Sequence, residues 1–255
     1  MRRARPTAGV RFLPPLVIGR FVRRLNRFAA LVRVGGREEA VHVRNSGRLR
    51  ELLTPGRTVL LESARRVGRR TRFTVALVRL ARGYVSVDAH LPNAVVEAAL
   101  REGGVPGCRG ARFLRREPAM GRKRADFLVA RGEQRCLVEV KSVTLVEDGV
   151  ALFPDAPTAR GRAHLDHLVA ARRRGLEAVV VFVIQRSDAV AFAPNLRTDP
   201  LFAAALGRAV TAGVCVHAMT CRVTRSGVWL DGSVPVRLPA RVRPVGNSCP
   251  GPERS

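Results

Sequence analysis

The chain has 255 residues, of which 46 are Lys or Arg and 20 are Asp or Glu, for a formal net charge of +26. With 46% hydrophobic and 26% charged residues it has ample material for a packed core, which sets aside a disordered or fibrous polypeptide. Such a positive balance points to a polyanionic partner, nucleic acid first, and no apolar stretch approaches the roughly 18 residues of a spanning helix, so no membrane partner is expected.

Residues 1–20 read as a basic N-terminal extension. The segment VRFLPPLVIGR carries arginines and two prolines, which makes a poor signal-peptide core. The five cysteines (Cys108, Cys136, Cys215, Cys221, Cys249) form no Cys-x-x-Cys pair and do not cluster with histidine. They read as reduced thiols of a cytoplasmic protein, and zinc is not expected.

From residue 21 to 90 the pattern is all-β. Short apolar-polar alternations at Phe28–Val34, Ala40–Arg44, Val59–Ser63, Phe73–Leu80 and Tyr84–Asp88 are punctuated by Gly35-Gly36, Gly47, Pro55-Gly56, Gly68 and Gly83. About five strands at this spacing fit a small OB-like β-barrel with a nucleic-acid-binding role. Arg65, Arg66, Arg69, Arg70 and Arg72 surround a glycine in one loop, which reads as a phosphate-tracking finger; a solvated hairpin tip is the plain alternative. Aromatic residues make up only 5%, so a base-stacking platform is not evident and phosphate contact is the expectation.

Residues 91–240 change to a mixed α and β rhythm, and 241–255 read as a flexible, basic tail. A helix is expected with Asn93 as N-cap, running to about Glu102 before Gly103-Gly104. A strand at Arg112–Arg116 leads to a hairpin in the stretch RKRADFLVARGEQRCLVEVKSVTL, with strands Arg124–Ala130 and Arg135–Ser142. Gly132 at the first of two turn positions suits the type II′ geometry that matches strand twist. In that register Asp126 lies opposite Glu139, with Cβ atoms roughly 5 Å apart, and the strand period puts Lys141 on the same face. Two carboxylates with waters and a substrate phosphate are the usual way of holding Mg²⁺. Alternating charges on a strand are, on the other side, usually its solvated face. Only Lys123 and Lys141 among the basic residues are lysine, which suggests that a compact point charge is wanted there.

Beyond the hairpin, a helix is expected at Gly161–Arg174 with Gly175 as its stop, then a buried strand at Ala178–Ile184. A second helix follows, with Asp199 as N-cap and Pro200 at its first position, ending at Gly213. Val214–Ala218 is a further strand. The order gives an α/β sheet with helices on its faces.

These pieces resemble the sugar fermentation stimulation protein A (SfsA) family over roughly Phe21 to Leu238. The resemblance is carried by RLNRF (Arg24–Phe28), RADF (Arg124–Phe127), VEVKSVTL (Val138–Leu145), FPDAPTARGRAHL (Phe153–Leu165) and VVFVIQRSD, which ends at Asp188. It implies an α/β (α+β mixed) architecture: an N-terminal OB-like β-barrel followed by a PD-(D/E)xK nuclease-like domain, with DNA, single- or double-stranded, as partner. It also implies a metal-dependent endo- or exodeoxyribonuclease of PD-(D/E)xK type using Mg²⁺ (or Mn²⁺).

In that reading Asp126 and Glu139 are metal ligands and Lys141 orients the attacking water or offsets charge on the phosphate. Glu117 resembles the carboxylate that often completes such sites, its alternative being a surface acid balancing Arg115 and Arg116. Gln185 resembles the glutamine that supports several of them. Arg160 and Arg162 stand where the helix dipole disfavours cations, which makes sense if a phosphate docks there; the fallback pairs Asp155 with Arg160. His164 and His167 lack a metal-binding context and read as structural. The reading from another class is a non-catalytic DNA-binding regulator of sugar metabolism genes with a vestigial nuclease fold.

Overall fold

The computed structural model describes residues 8–13, 15–64, 71–120 and 123–239. Its first element, β1 (Gly9–Arg11), is a strand inside what the sequence suggested was an extension. Ala8, Phe12 and Leu16 beside it are buried in the core, so the segment is held by its apolar residues despite its basic neighbours.

Six strands follow: β2 (Val17–Asn26), β3 (Ala29–Val34), β4 (Arg37–His42), β5 (Thr58–Ser63), β6 (Phe73–Arg79) and β7 (Tyr84–Ser86). They form a sheet in the order β4-β3-β2-β5-β6-β7, and a parallel pairing of His42 with Thr74 joins β4 to β6, closing β2 to β6 into a five-stranded barrel. This is the expected OB-like unit. Period-two alternation sends Phe21, Val32, Val41, Val59 and Val75 into its interior. The strand that sequence reading passed over is β2, in which exposed Arg20 and Arg23 interrupt buried and half-buried residues.

The rest of the chain runs α1 (Leu91–Arg101), β8 (Arg112–Arg116), β9 (Ala119–Met120), β10 (Lys123–Arg124), β11 (Phe127–Arg131), β12 (Gln134–Val143), β13 (Val146–Glu147), β14 (Val150–Phe153), α2 (Ala159–Arg173), β15 (Glu177–Ile184), β16 (Ala191–Pro194), α3 (Pro200–Thr211), β17 (Cys215–Thr224) and β18 (Gly227–Val234). Seven strands make the main sheet in the order β1-β18-β17-β15-β12-β11-β8. Its centre, β12-β15-β17, is parallel, with α2 and α3 in the crossovers, and its flanks are antiparallel. A β12 strand paired on both sides and covered on both faces accounts for its nearly unbroken burial.

Helix α1 starts two residues before the expected cap: it runs from Leu91, with Pro92 in its first turn, and Asn93 lies inside the helix with its side chain directed elsewhere. Helix α3 has the expected cap, the Asp199 carboxylate accepting from Phe202 N at 2.9 Å. Helix α2 begins behind Thr158, whose hydroxyl accepts from Gly161 N at 3.0 Å.

One core lies between the sheet, α1 and β1, and a second between the sheet, α2 and α3. Leu60, Ala76 and Leu77 on the barrel's outer face belong to the first of these, so barrel and α/β domain share apolar packing. Cys108, Cys136 and Cys221 are free, buried thiols. Cys215 is disulfide-bonded, which departs from the expectation of reduced thiols throughout. Among the described residues no helix is long and apolar enough to cross a membrane.

Candidate functional site

The β11–β12 hairpin has the register read from its turn: Arg131 pairs with Gln134 and Phe127 with Val138, across a turn where Gly132 has φ +57°. Continuing that register places Asp126 opposite Glu139, but Asp126 stands one residue before β11, outside the ladder. Its freed carboxylate folds back on the neighbouring strand, Oδ2 accepting from Val140 N at 2.7 Å, while Oδ1 accepts from Asn93 Nδ2 of α1 at 2.8 Å. Asp126 is therefore clamped by a strand amide and a helix side chain.

Glu139 and Lys141 are 3% and 8% exposed. They do not form a solvated face, because the strand bearing them is central and α2 covers that side. Charged groups are rarely so buried unless paired. Lys141 Nζ donates to Glu139 Oε1 at 2.6 Å. The same oxygen meets His164 Nδ1 from α2, and His164 Nε2 accepts from Arg160 Nε at 3.3 Å. The imidazole tautomer with its proton on Nδ1 satisfies both contacts. His164, read from the sequence as structural, is thus part of the site. The signal lay in its position on the helix after the FPDAPT turn, but its partner is 25 residues away in the chain and only the crossover brings them together.

The electrostatics separate the two acids. Burial, then the charge of Glu139, raises the Asp126 carboxyl above its ordinary range, against the hydrogen bonds from Val140 and Asn93. Burial also opposes ionisation of Glu139, but the His164 hydrogen bond and the Lys141 charge outweigh it and hold that carboxyl below the ordinary range. One acid is stabilised as an anion and its neighbour is strained as one, the pattern that a further cation between them would relieve.

Other expected members lie apart from this pair. Glu117 follows β8 in the left-handed region, φ +45°, and its N–H donates to Asp126 O at 2.9 Å; its side chain is two-thirds exposed and bonds Arg124 at 2.9 Å. Its backbone helps place Asp126, while its carboxylate is directed to Arg124. Gln185 is fully buried, and its Nε2 donates to Ser142 Oγ at 3.0 Å and to the Asp88 carbonyl at 3.2 Å. Ser142 is out of phase with Glu139 and Lys141 along β12, so Gln185 lies behind the sheet, joining it to the end of the barrel.

Arg160 is exposed over His164, whereas Arg162 is committed to Asp199, Nη1 lying 2.8 and 3.1 Å from its two oxygens. Asp155 does not pair with Arg160; its Oδ2 accepts from Arg48 N of a barrel loop at 3.1 Å. Arg72 is exposed, with its guanidinium 3.4 Å from Glu39. Arg65, Arg66, Arg69 and Arg70 lie outside the described residues.

Residues 22–87 match the family described as the SfsA N-terminal OB domain, and residues 90–227 match the sugar fermentation stimulation protein RE domain. A sugar fermentation stimulation protein homolog of Natranaerobius thermophilus is 44% identical over 229 residues, 88% of this chain and 95% of the relative. A homolog of Chloroflexus aurantiacus is 45% identical over 222 residues, 87% of this chain and 86% of the relative. A solved structure of Pyrococcus furiosus SfsA in complex with Ca²⁺ is 30% identical and superimposes with a TM-score of 0.83, covering 92% of this chain and all of the other.

Proposed function

The chain belongs to the sugar fermentation stimulation protein family, and on that premise we propose that it is a cytoplasmic DNA-binding protein that hydrolyses phosphodiester bonds with Mg²⁺ or Mn²⁺. The observation that carries this reading is the burial of Glu139 and Lys141 in the middle of a central strand, with Asp126 clamped beside them. Placing an anion and a cation there costs desolvation free energy that an apolar pair would not, and a module that only binds DNA gains nothing from acids facing phosphates.

The donor set fits a hard divalent cation. Asp126 and Glu139 supply carboxylate oxygens, and the raised Asp126 carboxyl marks a place where negative charge is under-compensated. The complex of the Pyrococcus furiosus relative with Ca²⁺ also supports divalent-cation binding in this fold. Bound at these carboxylates, the cation supplies polarisation of the phosphodiester and a lowered pKa for an attached water.

The remaining roles belong to the chain. Lys141 Nζ, already turned into the site by Glu139, offers a positive charge where negative charge accumulates on the reacting phosphate. His164 orients Glu139 through Nδ1, and Arg160 fixes the ring from its other side. The overall charge of +26 supplies a grip on the DNA backbone that is indifferent to sequence.

End-labelled single-stranded, duplex and branched DNA incubated with Mg²⁺ or Mn²⁺ tests the reading, with Glu139→Gln and Lys141→Ala alongside and binding measured in the same samples. Metal-dependent products from the wild type, reduced about 100-fold or more in both variants at unchanged binding, are expected. Tight binding without products in every sample would reject the catalytic half.

A further inference from the structure

The first barrel hairpin ends in an exposed aromatic ring set among arginines. Phe28 is 49% exposed, and among the described residues it is the one aromatic side chain counted with the exposed large apolar groups; Leu25 beside it is 40% exposed. Arg23 and Arg27 flank the pair and are exposed as well. An isolated apolar side chain on a surface needs no explanation. This one differs because it stands among exposed arginines on a turn fixed by hydrogen bonds.

Asn26 Oδ1 accepts from Phe28 N at 2.8 Å, fixing the turn, and Val43 N donates to Phe28 O at 2.8 Å. Arg24 runs beneath the tip, Nε donating to Asn26 O at 3.2 Å and Nη2 to Arg27 O at 2.5 Å. Arg24 Nη1 is buried there without a hydrogen-bond partner, so a positive charge is held within the tip at some cost. The tip is also tied, through its neighbouring loop, to the turn that precedes α2. Arg24 Nη2 reaches Asn45 O at 3.4 Å, the same loop bonds Asp155 through Arg48 N, and Asp155 sits in the turn that leads into the helix of Arg160 and His164.

We propose that the β2–β3 tip is a base-stacking element: Phe28 receives one unpaired base of a DNA strand, and Arg23 and Arg27 hold the phosphates on either side of it. This rests on the DNA-binding reading and narrows its substrate class to DNA with unpaired bases. Aromatic faces accept any base, so the contact adds affinity for single strands without sequence preference. Duplex DNA, with its bases already stacked, does not use it.

Fluorescence anisotropy with the full chain separates the possibilities, using a short oligothymidylate, an abasic strand of equal length and a blunt duplex. Phe28→Ala is expected to weaken oligothymidylate binding by about 5- to 150-fold, the equivalent of one lost base stack, and to leave the abasic strand and the duplex unchanged. Phe28→Trp is expected to retain binding and to show indole emission quenched by oligothymidylate but not by the abasic strand. Equal weakening on all three ligands, or no weakening while the wild type binds oligothymidylate tightly, overturns the stacking role and leaves the DNA-binding reading standing. A wild type that binds none of the three overturns both.

Discussion

Asp126→Asn gives opposite results in stability and in cation binding, and that opposition is diagnostic. In the cation-free protein burial and the charge of the neighbouring Glu139 both disfavour the Asp126 anion. Lys141 and His164 offset part of the Glu139 charge, and the bonds from Val140 and Asn93 favour the Asp126 anion. Because burial and repulsion still prevail, removal of the charge relieves net strain. An asparagine keeps the Val140 bond through its carbonyl and gives its amide to Asn93 after that side chain turns over. The variant is therefore expected to melt higher than wild type at pH 7 in EDTA, by about 2–4 °C for each kcal/mol of strain relieved. A carboxyl raised in the folded state contributes stability that is present at low pH and lost as pH rises through its folded value. The gain of Asp126→Asn should accordingly vanish below the ordinary carboxylate range and appear above it. Adding Mg²⁺ should reverse the order: at ten times the dissociation constant it stabilises wild type by about 1.4 kcal/mol and leaves the variant unmoved. Thermal unfolding followed by circular dichroism, with and without Mg²⁺ from acid to neutral pH, reads all of this. A variant less stable than wild type in EDTA at pH 7 would refute the electrostatic account.

Two further outcomes concern the scaffold and the grip. Asp199→Ala removes the cap of α3, worth about 1 kcal/mol, and strips Thr158 N and Arg162 of their partner, for a total of about 2–4 kcal/mol by denaturant titration. Although burial opposes its ionisation, the bonds from Thr158, Phe202 and Arg162 hold the Asp199 carboxyl below the ordinary range. Its contribution is thus present above that range and should fade as pH falls through it, shrinking the gap to the variant. Binding of duplex DNA should weaken with salt along a log–log slope of about −4 or steeper, and a flat response would reject phosphate contact as the source of affinity.

Local chemistry explains which parts of this structure could be read in advance. The turn at Gly132-Glu133 sets the hairpin register as far as Phe127 opposite Val138, one residue short of Asp126, and the signals at Asp199-Pro200 and Gly213 bound α3 at both ends. What the register does not carry is depth: the same alternation suits a solvated or a buried strand, and only the crossover helix decides that Glu139 and Lys141 are covered. His164 joins the site for the same reason. The arginines of FPDAPTARGRAHL look alike in sequence, yet Arg162 is taken by the cap of a later helix while Arg160 stays exposed. In β2 the arginines hide a strand that is half buried in the barrel. For β1 no local pattern exists, since three residues cannot show a period.

That short strand has a consequence for the order of assembly. Gly9 pairs with Trp229 and Arg11 with Gly227, so the edge of the α/β sheet is supplied by chain made before the barrel, on a strand made near the end. The backbone of Gly9 lies so close to the Trp229 indole that no other residue fits there. In the connectivity of the fold the barrel is an insertion, and the two units are not beads in series. During synthesis the barrel can close on itself early, while the first strand waits for almost the whole chain to emerge. Cutting the gene between barrel and α/β domain would yield a barrel with a stray apolar arm and a sheet with an open edge. Separating them cleanly requires moving β1, joined by a short turn, to the far side of β18.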